Sequence, residues 1–216
     1  MPSTISTTRS DETDRVEAVV FDIGETLVDE TRAWTLEAER AGVPSLTLFA
    51  ALGSLIERGE DHRGVWNLVD RQRPHTPVTI EDSDFYPDAL PCLEAVAAAG
   101  LRLGLAGNQP SSTEQFLRRL RLPVDLIASS ESWGVEKPDP VFFRRICEEL
   151  GLEPRLIAYV GDRLDNDILP AHAIGMRTVF VRRGPWGLLH SRKPEALTAD
   201  LRVDDLKSLV PALLAL

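Results

Sequence analysis

Residues 16–30 read VEAVVFDIGETLVDE, and residues 156–167 read LIAYVGDRLDND. Each begins as an apolar run, interrupted in the first only by Glu17, and stops abruptly in carboxylates. Continuous apolar runs of this kind mark parallel strands covered on both faces, and ligands of such sheets bind beyond the carboxyl ends of the strands. If the two strands lie side by side, Asp22 meets Asp162 and Asp167 at one sheet edge. Carboxylates converging there from two strands suit a hard cation such as Mg2+.

Outward from these runs, strand and helix patterns alternate after about residue 85. Strands are expected at 15–21, 101–106, 126–128, 156–160 and 177–181, with a short last one at 201–204. Helices are expected at 88–99, 111–120, 140–150, 166–174 and 205–216. Pro140 stands at the first position of its helix, Pro170 implies a kink or a late start, and Ser111 or Ser112 with Glu114 or Gln115 reads as a capping box. The alternation predicts an α/β fold around a parallel sheet. Residues 29–84 carry no strand signal, only spaced Leu, Ala, Trp and Val among charges with glycine breaks. They read as a helical insertion of two to four helices. Residues 1–14 read as a disordered polar tail, and residues 15–28 with 85–216 as the catalytic core.

Composition narrows the function. A net charge of −10 argues against a nucleic-acid surface, which needs a basic stripe. It does not exclude a small anionic substrate, because a lysine and a metal can reverse the field inside a pocket. Two cysteines, Cys92 and Cys147, are too few for a disulfide scaffold and read as core thiols, which fits a reducing cytoplasm. No apolar run approaches the ~20 residues of a membrane helix, and the N-terminus lacks the apolar stretch of a signal peptide.

Four elements together resemble the haloacid dehalogenase superfamily, in the branch with a helical cap inserted after the first motif. FDIGETL at 21–27 is similar to the family's hhhhDxDxT motif. GLAGNQ at 104–109 is similar to the strand ending in Ser/Thr-Asn. GVEKPDPVFF at 134–143 is similar to the motif-three lysine and its Pro-Asp-Pro. YVGDRLDNDILPAHAIGMRTVFV at 159–181 is similar to the GDxxxxD motif with its helix and strand. The resemblance runs from about Arg15 onward. It implies a Rossmann-like three-layer sandwich with a parallel sheet and a small helical cap.

The resemblance also implies roles. Asp22 is the expected nucleophile, attacking phosphorus to give an aspartyl-phosphate, and a Mg2+ ligand. Lys137 is expected to neutralise the nucleophile and the phosphoryl oxygens. Asp162 is expected to bind Mg2+ directly, and Asp167 through a water or as an orienting partner. Thr26 fixes the loop. Asn108 and the backbone at Gly107 are expected at the phosphate, with Glu25 nearby.

Two positions depart from the pattern. Gly24 stands where phosphatases of this group carry a second Asp, whose carbonyl ligates metal and whose carboxyl moves protons. Glycine retains the carbonyl and loses the acid–base group, worth ~10²–10⁴-fold. Gly107 replaces a Ser/Thr hydroxyl, a charge-assisted bond of ~1.5–3 kcal/mol. Three outcomes follow: slow turnover restricted to good leaving groups, rescue by another side chain (Glu25, Asp61, His62 or Arg63), or binding without turnover. The expected function is therefore a Mg2+-dependent phosphatase of a small phosphorylated metabolite. The alternatives are a phosphate-binding or regulatory protein and, less favoured, a haloacid dehalogenase, since the family's dehalogenases need no metal.

Overall fold

A computed structural model of the chain describes residues 15–76 and 78–215. The expected N-terminal tail lies outside the described residues. Six strands form one parallel sheet: β1 (Ala18–Phe21), β2 (Arg102–Gly107), β3 (Leu126–Ser129), β4 (Ile157–Gly161), β5 (Arg177–Val181) and β6 (Leu201–Val203). Their spatial order is β3-β2-β1-β4-β5-β6. The order reverses between β1 and β4, and that switch point opens a crevice at the carboxyl ends of the two strands. Phe21 pairs with Leu105 on one side and Val160 on the other, so Asp22 leaves the sheet flanked by β2 and β4.

Residues 18–21 are fully buried because helices cover both faces. Alternate side chains serve alternate layers, as the two-residue period of a strand requires. Val19 and Phe21 pack in a cluster with Leu93, Leu209 and Leu213. Ala18 and Val20 pack in another with Phe142, Phe143 and Ile146, from the helix Pro140–Leu150. The Asp139 side chain caps that helix by accepting from the Val141 N–H at 2.8 Å.

Between β1 and the helix Ala89–Ala98 that precedes β2, the chain makes the helices Thr31–Arg40, Ser45–Arg58 and Val65–Leu68. Leu48, Leu52, Leu55, Ile56, Val65 and Trp66 give this excursion its own buried cluster. Trp186, on the helix Gly184–His190, packs into the same cluster. A bridge between Val28 and Phe85 closes the neck of the excursion.

Several local expectations change. The helix at 111–119 is entered from Pro110 without a side-chain cap. Its Ser111 N–H is taken by Glu131 at 2.6 Å, and Glu114 turns to Ser129 and Arg118, so the capping box does not form. The segment at 164–173 begins as a π-helical turn, Leu164–Ile168, and becomes α-helical only at Leu169, which places Pro170 in its first turn. The last helix is shorter than expected, Leu209–Leu213. Cys92 and Cys147 are free thiols. Among the described residues no helix is long and apolar enough to cross a membrane.

Candidate active site

The crevice brings Asp22, Lys137, Asp162 and Asp167 together. The Asp22 N–H donates to Val160 O at 2.8 Å, which pins the end of β1 against β4. Lys137 sits on the loop before the Pro140–Leu150 helix, and its side chain is buried. Its Nζ donates to Asp22 Oδ1 at 2.7 Å and to Asp167 Oδ1 at 2.5 Å. Asp167 Oδ2 accepts the Arg163 N–H at 2.9 Å. Asp162 receives less: Thr26 Oγ1 donates to its Oδ1 at 3.3 Å, and its buried Oδ2 has no hydrogen-bond partner among the described residues.

Lys137 answers two of three buried carboxylates. Burial alone would depress the lysine, but Asp167 and Asp22 override it and hold it well above its usual value. Burial, with Asp167 and Asp22 adding repulsion, raises Asp162 well above the carboxylate range. Burial also raises Asp167 to about 6, with Lys137 opposing. One oxygen from each of Asp22, Asp162 and Asp167 falls in a group whose members lie within 4.8 Å of one another. A buried, unpartnered carboxylate oxygen is costly, and a hard divalent cation binds such oxygens. The donor set therefore fits a cation of that kind. Asp162 offers an unclaimed oxygen, and Asp22 has a second oxygen beyond the one that Lys137 holds. Both oxygens of Asp167 are already committed, which suits an orienting role.

The other expected residues surround this group. The Asn108 amide clamps the lysine loop, donating from Nδ2 to Lys137 O and accepting the Lys137 N–H at Oδ1, each at 2.8 Å. Glu25 adopts a left-handed backbone at φ 55°. Its carboxylate accepts from Tyr86 OH at 2.8 Å and from the Glu30 N–H at 3.0 Å, so both oxygens tie the loop together. Burial, and next the Glu30 charge, raise its pKa to about 7. Gly107 is pressed from the front, since a Cβ there would lie 2.5 Å from Asp22 Oδ1. The space that a Ser or Thr Cβ would need is thus occupied by the Asp22 carboxylate.

Asp22, Glu25, Asn108, Lys137 and Asp162 line a cavity of about 310 Å³ between the sheet edge and the helical excursion. From the excursion it receives Trp34, His62, Arg63 and Arg73. Arg63 and Arg73 are paired with Glu136 and Glu37 at 3.1 and 3.0 Å. Asp61 accepts the Arg63 N–H and caps a short turn. His62 packs edge-on against Trp34 and Trp186, and burial depresses its pKa to about 4. Among the lining residues that the sequence patterns do not single out are Arg163, whose guanidinium lies 4.9 Å from the Trp186 ring centre, and the pair Glu30 and Gln109. Gln109 follows Asn108 directly, so its place at the strand end was open to detection; Glu30 carried no such signal.

The model of the haloacid dehalogenase-like hydrolase family matches residues 16–175. A glyceraldehyde 3-phosphate phosphatase of Methanopyrus kandleri is 29% identical over 220 residues, covering 88% of this chain and 93% of the relative. A phosphoglycolate phosphatase of Rhodospirillum rubrum is 30% identical over 187 residues, covering 84% and 75%. Among solved structures, a phosphatase of the same superfamily from Thermococcus onnurineus superposes with a TM-score of 0.61 at 23% identity, over 92% of this chain and 98% of that one. An L-2-haloacid dehalogenase gives 0.69 at 16% identity, over 92% and 99%. Backbone likeness alone therefore does not separate the two chemistries. Matched along most of its length by the family model, with the motif carboxylates and lysine gathered at the switch point of its sheet, the chain belongs to the haloacid dehalogenase-like hydrolases.

Proposed function

We propose that the chain is a Mg2+-dependent phosphatase of a small phosphorylated metabolite, with Asp22 as nucleophile. The observation that carries this reading is the unpartnered Asp162 Oδ2 beside the Lys137-bridged pair Asp22 and Asp167. A carboxylate left without a partner at this depth calls for a cation, which phosphoryl transfer uses and halide displacement in this family does not. The sequence relatives named above are phosphatases, and they support the same choice.

Asp22, Asp162 and the Gly24 carbonyl are the groups that would hold Mg2+, with Asp167 orienting them through Lys137. When bound, the ion supplies charge neutralisation at the phosphoryl oxygens. Lys137 holds Asp22 Oδ1 in place and adds positive charge where negative charge accumulates. The Asp22 carboxylate attacks phosphorus, the bond to the leaving oxygen breaks, and an aspartyl-phosphate forms. Water then releases phosphate and restores Asp22. The helical excursion covers the crevice and serves as a cap that excludes bulk water and reads the substrate. Because position 24 is glycine, protonation of the leaving oxygen falls to a group outside the motif, and turnover is slowest on esters with poor leaving groups.

The test is hydrolysis of an aryl phosphate, then a panel of phosphate esters, with Mg2+ and with EDTA. Turnover should need Mg2+ and fall to background in Asp22→Asn. Turnover that survives Asp22→Asn removes the nucleophile from the scheme. Phosphate binding with no product across the panel would make the chain a binding protein.

A further inference from the structure

Position 24 lacks a side chain, yet the space in front of it is filled. A Cβ built on Gly24 would lie 2.5 Å from Glu30 Oε1 and 2.9 Å from Glu30 Cδ. The Glu30 carboxyl thus occupies the volume that a side chain at position 24 would enter. Glu30 and Gly24 line the same cavity as Asp22, Lys137 and Asp162. The placement is built rather than accidental. The Glu30 N–H is held by Glu25 Oε1 at 3.0 Å, and Glu25 is itself anchored by Tyr86. Trp34 Nε1 points at Glu30 Oε2 at 3.4 Å. Gln109 hydrogen-bonds the same carboxyl. Thr113 Oγ1 donates to Gln109 Oε1 at 3.3 Å, which leaves the Gln109 NH2 for Glu30. Trp34 and Gln109 thus meet one carboxyl group that the four sequence motifs do not contain, while Glu25 and Thr113 hold the residues around it.

We propose that Glu30 carries the proton in this site, in place of the carboxylate missing at position 24. This rests on the phosphatase reading above and names the group that reading leaves open. In the first half-reaction the Asp22 oxygen bonds to phosphorus and the ester P–O bond breaks. Its electron pair stays on the leaving oxygen, which takes the proton from the Glu30 carboxyl. In the second, the Glu30 carboxylate takes a proton from water as the water oxygen bonds to phosphorus. The bond between phosphorus and Asp22 breaks, inorganic phosphate leaves, and both carboxyl groups return to their starting states. The residue lies eight positions downstream of the nucleophile, on the turn that enters the first helix of the excursion, rather than two positions downstream on the motif loop. Its side chain is longer by a methylene and reaches the space in front of position 24 from the helix entry.

The decisive experiment moves the carboxyl group. Glu30→Gln keeps the shape and should fold with an unchanged melting temperature. It should lose about 10²–10⁴-fold on alkyl phosphates and much less in the first step on an aryl phosphate, whose leaving group needs little protonation. Because water attack still lacks its base, the aryl ester should give a burst of one equivalent of phenolate. The phosphoenzyme should then accumulate, visible by mass spectrometry as a gain of HPO3 on the peptide containing Asp22. Glu30→Ala should be equally impaired. Gly24→Asp added to it should restore at least ten-fold of the lost alkyl-phosphate activity, because truncation of the glutamate vacates the space that the new aspartate needs. Wild-type rates in Glu30→Gln overturn the proposal. So does an equal loss on both ester types with no phosphoenzyme and no recovery in the double variant, which is the behaviour of a merely structural glutamate. A wild-type protein that hydrolyses nothing with Mg2+ defeats the phosphatase reading, and this proposal falls with it.

Discussion

Asp162 and Asp167 lie five residues apart after β4, are equally buried, and sit in opposite electrostatic surroundings. Asp167 has Lys137 Nζ on one oxygen and the Arg163 N–H on the other. Asp162 has one long bond from a hydroxyl and one oxygen without a hydrogen-bond partner among the described residues. The difference separates two uses of a buried acid. Asp167 is part of the folded scaffold, paired with a charge that the chain supplies itself. Asp162 has no such charge from the chain, and its free oxygen is the one that the proposed cation would answer. A buried pair is costly to break and need not be stabilising to possess, so the two positions should answer the same Asp→Asn change with opposite signs.

The largest effect is expected at Asp167. Asp167→Asn in EDTA removes one of the two charges that offset a fully buried ammonium, a loss of about 3 kcal/mol and roughly 6–12 °C in Tm for a chain of this size. A thermal melt measures it. A variant more stable than the parent would show that repulsion from Asp22 and Asp162 outweighs the Lys137 pairing, and the contrast would collapse.

Asp162→Asn comes next and runs the other way. In EDTA its Tm should equal or exceed that of the wild type, because the change removes repulsion from Asp22 and Asp167. The wild-type protein should gain about 2.7 kcal/mol when Mg2+ stands at a hundred times its Kd, and Asp162→Asn should lose that gain. Melts with and without Mg2+ read both halves. A Mg2+ response that survives intact moves the cation away from Asp162.

The sequence foretold the sheet, because strands buried on both faces announce themselves as apolar runs, and the carboxylates that follow 18–21 and 156–160 have few other places to go. The neighbourhood of Lys137 was legible for the same reason: Asp22, Asp162 and Asp167 sit at strand ends that the topology forces together. Glu30 was not. Its approach to Gly24 depends on the left-handed turn at Glu25, the short bridge from Gly24 to Val28 and the anchoring by Tyr86, which is 61 residues from Glu25. None of these leaves a local periodicity. The helix Gly184–His190 was missed because Gly184-Pro185 reads as a breaker, whereas Pro185 stands in the first helical turn, where proline is well suited. Asn108 looked like a turn residue or a phosphate contact. Its clamp on the Lys137 backbone is a contact across 29 residues.

The smallest predicted effect concerns Gly107, and it distinguishes a missing group from a displaced one. Restoring the family's hydroxyl with Gly107→Ser looks from sequence like a repair, adding a donor for the phosphoryl group. In the folded chain the serine Cβ would meet Asp22 Oδ1 at 2.5 Å, an oxygen held by the buried Lys137 at 2.7 Å and hence slow to yield. Overpacking against a pinned group costs about 1–3 kcal/mol. If Asp22 is the nucleophile, as proposed, any movement of it also spoils the line of attack, so kcat/KM should fall about ten-fold, equivalent to ~1.4 kcal/mol. The fall should appear in kcat more than in KM, because the nucleophile moves while the cavity walls stay. A rise in kcat/KM would mean that Asp22 can swing clear of residue 107. The glycine would then be an ordinary vacancy in the motif, unlike position 24, where another side chain holds the space.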